Sequence, residues 1–196
     1  MSKAIGMVEY KTVSAGITAA DAMVKTSEVS IIEAQTVCPG KYIAIITGDL
    51  SAVKAAVDNA KEMHGLHLID SFVLGNPHES IFPAIYGAAH IEDVSALGIM
   101  ETYDASSIIV AADEAAKTAI VDLIELRIAR GMCGKSYMLL TGEVAAVELA
   151  SSMMLSPSLI CSLTSSAICC LPTILRFFLM LKGSSIFTFS LITAPP

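Results

Sequence analysis

Five cysteines are the residues of this sequence that could do redox or metal chemistry. Their number is odd and their spacing is not that of a small secreted domain, so reduced thiols or metal ligands fit better than disulfides. Cys38 is followed at once by Pro39 and Gly40, which interrupt the chain between two β-rich segments. A lone cysteine at the end of a strand is most often a small buried hydrophobic residue, so the residue types alone favour a packing role. The five are Cys38, Cys133, Cys161, Cys169 and Cys170.

The remaining polar residues offer weaker chemistry. The segment 129–136 resembles half of a phosphate-binding loop, but Ala129 replaces its first glycine and a β-rich segment follows Lys135, where that loop needs a helix. His64 and His67 are separated by a glycine that ends a helical pattern, so surface positions fit them better than a shared site. The sequence offers no constellation for acid and base catalysis, and we predict that the protein is not an enzyme.

The overall charge and composition limit the class of protein. A net charge of −7 and a pI near 5.0 give no basic field to hold phosphate backbones, so we do not expect nucleic-acid binding. Hydrophobic residues make up 54% of the chain and charged residues 16%, which indicates surface buried between subunits, an abnormal segment, or both. Lys3 is followed by a β-rich segment that contains Glu9, so no signal peptide is expected and we predict a cytoplasmic protein.

An internal repeat organises the first 152 residues. The segment AIGMVE at 4–9 matches the segment ALGIME at 96–101, at an offset of 92 residues. Ordered matches with one small shift indicate a duplicated domain. We therefore predict domains at 1–92 and 93–152 and treat 153–196 as a separate segment. Further matches, at 92 or after a two-residue slip at 94, are Asp21 with Asp113, Lys25 with Lys117, and Gly40 with Gly134.

Each repeat has the same order of elements: strand, helix, strand, loop, strand, helix. Short β-branched segments predict the strands, and apolar residues three and four apart predict the helices. Asp49 is a plausible N-cap for the second helix. This order predicts an α/β fold (an α+β sandwich), with each domain a small sheet covered by helices. The predicted elements are 4–10, 14–26, 29–37, 42–46, a helix from 49 to near 65 and 66–74, then 97–102, 106–118, 121–128, 137–141 and a helix from 143.

The segment 153–196 does not continue the repeat. It contains no acidic residue, and Arg176 and Lys182 are its charged side chains. An uncharged stretch at 159–175 is shorter than the ~20 apolar residues of a membrane span and includes Pro172, so we do not expect a span. We favour a shift of the coding frame near residue 153, which would replace the last strand and terminal helix of the second repeat with unselected sequence. The three cysteines of this segment would then have no designed role.

Several of these motifs resemble a known family, the shell domains of bacterial microcompartments. The opening strand at 4–9 and the first helix at 19–25 resemble those of this domain, and two such domains in one chain resemble its trimeric tandem class. More narrowly, TVCPGK at 36–41 and DSFVLGN at 70–76 are similar to a propanediol-utilisation subclass that carries an iron-sulfur cluster. The similarity covers about residues 2–152, and the Cys-Pro-Gly-Lys loop is its most specific part.

The resemblance implies a homotrimer that forms a pseudo-hexameric tile with a central pore. Tiles join edge to edge into a microcompartment shell around metabolic enzymes, so other shell proteins and encapsulated redox enzymes are the expected partners, and a membrane is not. Lys25 and Lys117 would lie at the tile edges. The loop after the second strand of each repeat would line the pore, which gives Cys38, Pro39, Gly40, Gly131, Met132, Cys133 and Gly134 as pore residues.

The similar subclass binds a 4Fe-4S cluster on the threefold axis through the cysteine of its first loop, and Cys38 has that position. Threefold symmetry turns one thiolate per chain into three, so each trimer would share one cluster among three copies of Cys38. At an offset of 94 Cys38 aligns with Met132, so six loops would contribute three equivalent cysteines. Cys133 replaces a glycine that the family pattern expects, which leaves three roles open for it: a residue next to the cluster, an additional ligand or a site of oxidation. The implied function is a shell protein that transfers electrons across the shell.

Two other functions remain open at this point. A tile without a cluster would conduct a small metabolite through its pore, and Cys38 would merely constrict it. A soluble binding protein or enzyme would use a cleft between the domains, but the sequence offers no acid and base residues for one, so this alternative ranks last.

Overall fold

The computed structural model describes residues 3–92, 94–154, 175–181 and 186–191. They form two compact units. The first unit contains the residues up to 77 together with 130–133, and the second contains 78–129 and the described residues from 134 onward. Each unit is built on one antiparallel sheet with helices packed against it, which is the layered architecture that the order of elements predicts.

The sheet of the first unit has the strand order β2-β3-β1-β4. The predicted strand at 29–37 has those bounds, and the other predicted strands of this unit differ from the observed ones by at most three residues at an end. The elements are β1 (Lys3–Tyr10), α1 (Val13–Thr26), β2 (Val29–Val37), β3 (Lys41–Asp49), α2 (Leu50–His64) and β4 (Leu68–Gly75), with a 3-10 turn at Gly65–His67.

One face of this sheet forms the core with α1 and α2. Alternate residues of a strand point to the same face, and Ala4, Val8 and Tyr10 of β1 lie in the core beside Ala44 and Ile46 of β3. All five are buried, Tyr42 of β3 joins them, and burying one large aliphatic side chain in this way contributes about 1.5–3 kcal/mol. The core therefore fixes which residues of β1 and β3 face the helices.

Two glycines allow the helices to approach the sheet closely. A Cβ atom at Gly6 of β1 would lie 2.6 Å from Cγ1 of Val53 in α2. A Cβ atom at Gly16 of α1 would lie 2.4 Å from the Cβ of Tyr42. Both positions require glycine because a side chain would collide with these neighbours, and not because the backbone has an unusual conformation.

The second unit repeats this architecture with the strand order β6-β7-β5-β8-β9. The helix predicted from residue 143 begins at Val144, and the strands predicted at 97–102 and 137–141 are each longer than expected at an end. The elements are α3 (Ile81–Tyr86), β5 (Ala96–Thr102), α4 (Ala105–Thr118), β6 (Val121–Arg127), β7 (Ser136–Gly142), α5 (Val144–Met154), β8 (Leu175–Leu181) and β9 (Ile186–Leu191).

The helix α3 was not predicted from the sequence. It follows β4 in the chain, belongs to the second unit and packs against β6. It is six residues long and contains Pro83, so helical periodicity has little room to show. A usable signal is Gly87, whose positive φ of 63° at the end of a short apolar run is typical of a helix C-terminus.

Asp49 lies at the N-cap position of α2 as predicted, but it does not form a capping hydrogen bond. Asp49 precedes α2 with an extended backbone. The matching type of contact occurs in the second unit, where Asp104 Oδ1 accepts a hydrogen bond of 2.7 Å from the backbone N–H of Ser107 at the start of α4.

The second sheet includes residues from the segment 153–196, where the second repeat was expected to have lost its last strand. β8 pairs with β5, from Ala96 opposite Leu181 to Glu101 opposite Arg176, in the place that β4 takes beside β1. The apolar and aromatic residues at 175–181 favour extended backbone and form a strand there, while the shift of the coding frame near residue 153 stays a prediction. The next element after β8 is the strand β9, whereas the next element after β4 is α3.

The remaining expectations for the tail fall outside the described residues. These are the roles of Cys161, Cys169 and Cys170 and the uncharged stretch from 159 as far as residue 174. Within the described ranges, no helix combines the length and the apolar character needed to cross a membrane.

Candidate functional site

The Cys38 loop is a tight turn between β2 and β3. The backbone N–H of Gly40 donates a hydrogen bond of 3.0 Å to the carbonyl of Val37, which closes the turn around Cys38 and Pro39. Gly40 has a φ of 91°, a conformation that side chains disfavour, and nothing lies within 4 Å of the position of its absent Cβ. Cys38, Pro39 and Gly40 are all exposed, so Cys38 does not belong to the core of its own chain.

A buried ion pair anchors the end of this turn. Lys41 Nζ lies 2.9 Å from Glu9 Oε1, and the Glu9 side chain retains only 4% of its exposure. The lysine at the end of the turn is therefore held to β1. The prediction that Glu9 has a structural role and not an acid or base role agrees with this contact.

The second loop, between β6 and β7, has an unusual backbone. Ala129, Gly131, Cys133 and Gly134 all have positive φ, at 51°, 73°, 56° and 94°. Cys133 therefore occupies the left-handed region that favours glycine, which gives a physical reason why a glycine is expected at that position. Its thiol is exposed, Gly131 is exposed, Met132 is half-buried and Gly134 is buried.

The lysines that follow the two loops have different partners. Lys135, which matches Lys41 in the repeat, places its ammonium 4.8 Å from the centre of the Tyr103 ring. A strand and not a helix comes after Lys135, so the rejection of a phosphate-binding loop is confirmed.

Arg130 attaches the tip of the second loop to β2. Its Nη2 donates a hydrogen bond of 2.6 Å to Glu33 Oε1, and its Nε donates one of 3.1 Å to Gln35 Oε1. The pair is a charge-assisted fork, which is stronger than a single neutral hydrogen bond. Sequence reasoning missed this contact because the partners are more than 90 positions apart and share no periodic pattern.

The described residues of one chain do not assemble a complete metal site. Among the described residues no group of three or more His, Cys, Asp and Glu side chains could hold a metal ion. An iron-sulfur cluster needs several thiolates, and Cys38 supplies one, exposed on a turn. A single exposed thiol of this kind fits a cluster that takes further thiolates from other copies of the chain.

The two lysines predicted at tile edges have matching local contacts. Lys25 Nζ lies 2.6 Å from Asp21 Oδ2 on α1, and Lys117 Nζ lies 2.6 Å from Asp113 Oδ2 on α4. Lys25 is the more exposed of the two. The repeated spacing of four residues explains why both pairs form on a helix surface.

Comparison with known proteins gives a consistent set of relatives. The family model of the BMC domain matches residues 4–77 and 96–157. The bacterial microcompartment shell protein PduT of Citrobacter freundii is 39% identical over 148 residues, which cover 76% of this chain and 80% of that protein. The shell protein PduA of Salmonella typhimurium is 40% identical over 74 residues, which cover 34% of this chain and 79% of that protein.

Solved structures agree with this picture. A microcompartment protein from Desulfitobacterium hafniense DCB superposes with a TM-score of 0.75 at 46% identity, covering 79% of this chain and 86% of that one. The fused permuted hexameric shell protein MSM0275 from the RMM microcompartment superposes with a TM-score of 0.58 at 23% identity, covering 78% and 83%, and supports the fold alone.

Proposed function

This chain belongs to the BMC domain family and carries two such domains in tandem, and from that premise we propose that it forms a homotrimeric shell tile with a 4Fe-4S cluster in its central pore. Its relatives identify it as a structural shell protein of a bacterial microcompartment. We further propose that the tile lies in the cytoplasm and that its cluster transfers electrons to encapsulated redox enzymes.

The observation that carries the proposal is the exposed thiol of Cys38 on a turn closed by Gly40. Around a threefold axis, three copies of this turn would present three thiolates, which the cluster takes as ligands. The matching position in the second loop is Met132, so that loop adds no equivalent ligand. The cluster would supply one-electron redox chemistry at the pore.

The residues around Cys38 support binding of a cluster by an exposed loop. Gly40 carries no side chain and has open space around it, so its backbone leaves room near an axis. Glu9 holds the ammonium of Lys41, which leaves that charge neutralised at the base of the turn. Cys133 offers a second exposed thiol at a nearby place in the repeat, and it serves as the control for the role of Cys38.

The test is anaerobic purification of the full chain, followed by iron and sulfide analysis and by visible and electron spin resonance spectra. We expect one cluster for every three chains, lost in Cys38→Ser and retained in Cys133→Ser. A colourless, iron-free trimer would contradict the cluster and favour a tile whose pore conducts a small metabolite. A monomer at all concentrations would contradict the tile itself.

Lys25 and Lys117 are the residues that we propose for the tile edges. Their ammonium groups lie at the C-terminal ends of α1 and α4, where a positive charge is stabilised by the helix dipole. Other shell proteins are the partners expected at these edges.

A further inference from the structure

The strand β9 is a sheet edge that differs from the other edges of this chain. An edge strand presents a row of backbone N–H and C=O groups that can pair with another strand, and soluble proteins protect such edges with charged side chains, prolines or bulges. Within the described residues the two sheets have four edge strands, which are β2 and β4 in the first unit and β6 and β9 in the second.

The edges β2, β4 and β6 each carry an acidic residue and an irregular ladder. The acidic residues are Glu33 in β2, Asp70 in β4 and Glu125 in β6. The register of pairing with the neighbouring strand shifts beside each of these three residues. A charge and a bulge both oppose the addition of a further strand, so these edges are protected.

The edge β9 carries neither form of protection. Its sequence at Ile186–Leu191 is IFTFSL, without a charged residue or a proline. Its pairing with β8 runs without a shift of register. No charged side chain follows Lys182 in the sequence, and Pro195 and Pro196 come after the strand. Aromatic and β-branched residues favour extended backbone, and short uncharged segments of this kind are typical of strands that pair between chains.

We propose that β9 pairs antiparallel with β9 of a second copy of this chain. The second copy suits this edge because an uncharged strand places no like charges opposite one another when it pairs with itself. Pairing of a strand with its own copy is symmetric about a twofold axis, so the contact is closed and joins two chains.

The pairing of β9 ends in protected edges. The two five-stranded sheets form one continuous sheet, whose outer strands are the two copies of β6. Glu125 and the irregular ladder of β6 then oppose the addition of further chains. The contact is therefore a pairwise association and not the start of a fibre.

This contact is separate from the proposed trimer. A threefold axis arranges three copies in a ring and does not pair a strand with its own copy, which requires a twofold axis. Pairing of β9 therefore joins chains of different tiles, or two single chains where no trimer forms. The inference goes beyond the proposed function and does not depend on the cluster.

The test compares the mass of the full chain with that of Thr188→Lys by light scattering, over a concentration series in reducing buffer. Lysine at the middle of β9 places an ammonium on the edge and brings like charges together in the pair. We expect the unaltered chain to form assemblies with at least twice as many chains as the variant, and the variant to associate about tenfold or more weakly. Any contacts at the tile edges are the same in both proteins, so the difference reports on β9.

Two control variants separate the edge from other effects of substitution. Thr188→Val keeps a β-branched, uncharged residue in the strand and should associate as the unaltered chain does. Ala55→Lys adds the same charge at an exposed position of α2 and should also leave the association unchanged. Association lost equally in Ala55→Lys would assign the effect to net charge and overturn the role of β9.

Hydrogen exchange at residues 186–191 of the unaltered chain gives a measurement that does not depend on any variant. About every second amide of an edge strand points away from its partner, and these amides should gain protection as the concentration rises. A mass and an exchange rate that stay constant would overturn the pairing, and a constant trimer mass would leave the tile intact. Protection that appears only after another shell protein is added would place a different chain on this edge and overturn the second copy.

Discussion

Single residues decide how the candidate loops are held. Glu9 is buried, and its carboxylate pairs with the lysine that ends the Cys38 turn. A buried carboxylate needs such a partner, because moving an unpaired charge out of water costs several kcal/mol. The ion pair therefore links the stability of β1 to the position of the turn.

Replacing Glu9 with Gln is expected to lower the free energy of unfolding by about 2 kcal/mol or more, since it leaves the Lys41 ammonium without its carboxylate. Urea unfolding under reducing conditions measures the effect. Asp58→Asn is the control, because the Asp58–Lys61 pair is exposed and is expected to change stability by about 0.5 kcal/mol or less. Equal losses of unfolding free energy in both variants would show that the burial of Glu9 does not strengthen the contribution of its ion pair.

Tyr10 gives a prediction for alkaline pH. Its hydroxyl donates a hydrogen bond of 2.7 Å to the carbonyl of Ala60, and burial raises its pKa from 10.0 to about 12. The unfolded chain loses this proton first, so the stabilisation is complete below pH 10 and is lost as the pH rises toward 12. Tyr10→Phe is expected to be about 1 kcal/mol less stable at neutral pH and to lose less stability above pH 10.

Ultraviolet titration of tyrosinate measures the Tyr10 prediction directly. The variant should lack the late ionisation step that the raised pKa of Tyr10 produces in the folded protein. Tyr103→Phe removes a tyrosine that is 44% exposed and should leave that late step in place. A titration in which Tyr10→Phe and Tyr103→Phe remove the same step would contradict the assignment.

At the scale of the elements, close contact between α1 and β3 depends on Gly16. Alanine has the higher helix propensity by about 1 kcal/mol, but a Cβ at this position would meet the Cβ and ring of Tyr42 at 2.4 Å. We expect Gly16→Ala to destabilise the chain by about 1–3 kcal/mol, because overpacking outweighs propensity.

Thermal unfolding of Gly16→Ala should be compared with that of Gly65→Ala. Gly65 has a helical backbone, with φ of −52°, and no atom lies within 4 Å of the absent Cβ. Alanine there is expected to be neutral or stabilising by up to about 1 kcal/mol. If Gly16→Ala were as well tolerated as Gly65→Ala, the close approach of α1 would not be a requirement of the fold.

The elements show how far the sequence predicts this structure. The duplicated strands and helices were predictable because each carries its own periodic pattern, as at β2. The short helix α3 was not, because six residues with an internal proline hold too little periodicity. The strand β8 was also missed, because its continuous run of apolar residues lacks the alternation of a half-buried strand.

The candidate site was predictable in part. The repeat predicts where both loops lie, and Cys38 and Cys133 are on those loops. The contacts of Arg130 with Glu33 and Gln35 were out of reach, because side-chain pairing between distant segments leaves no local pattern. The positive φ of Cys133 is likewise a property of the folded loop, which a cysteine in the sequence does not indicate.

At the scale of the whole molecule, the proposed tile makes a prediction about sheets of tiles. The double variant Lys25→Ala and Lys117→Ala is expected to keep its fold and trimer mass. The Lys25–Asp21 pair is exposed and contributes little to stability, and the buried carboxylate of Asp113 still accepts a hydrogen bond of 2.7 Å from the backbone N–H of His78 when Lys117 is replaced. The double variant should need a protein concentration about tenfold higher to form extended sheets. Electron microscopy over a concentration series measures this.

Lys61→Ala is the control for the sheet experiment. Lys61 also pairs with an aspartate on a helix, but on α2 and outside the matched positions. Sheets should form from this variant at the concentration that the unaltered chain needs. Loss of sheets in Lys61→Ala alone would remove the edge role from Lys25 and Lys117.

The way the two units share the chain has a consequence for gene dissection. The first unit includes 130–133 from the second repeat, and the second unit includes α3 from the first. Cutting the coding sequence at the midpoint of the duplication would separate Arg130 from Glu33 and α3 from β6. Neither half would then contain all the residues of one compact unit. Recombination between single-domain and tandem genes would have to exchange the segment 130–133 and the helix α3 together.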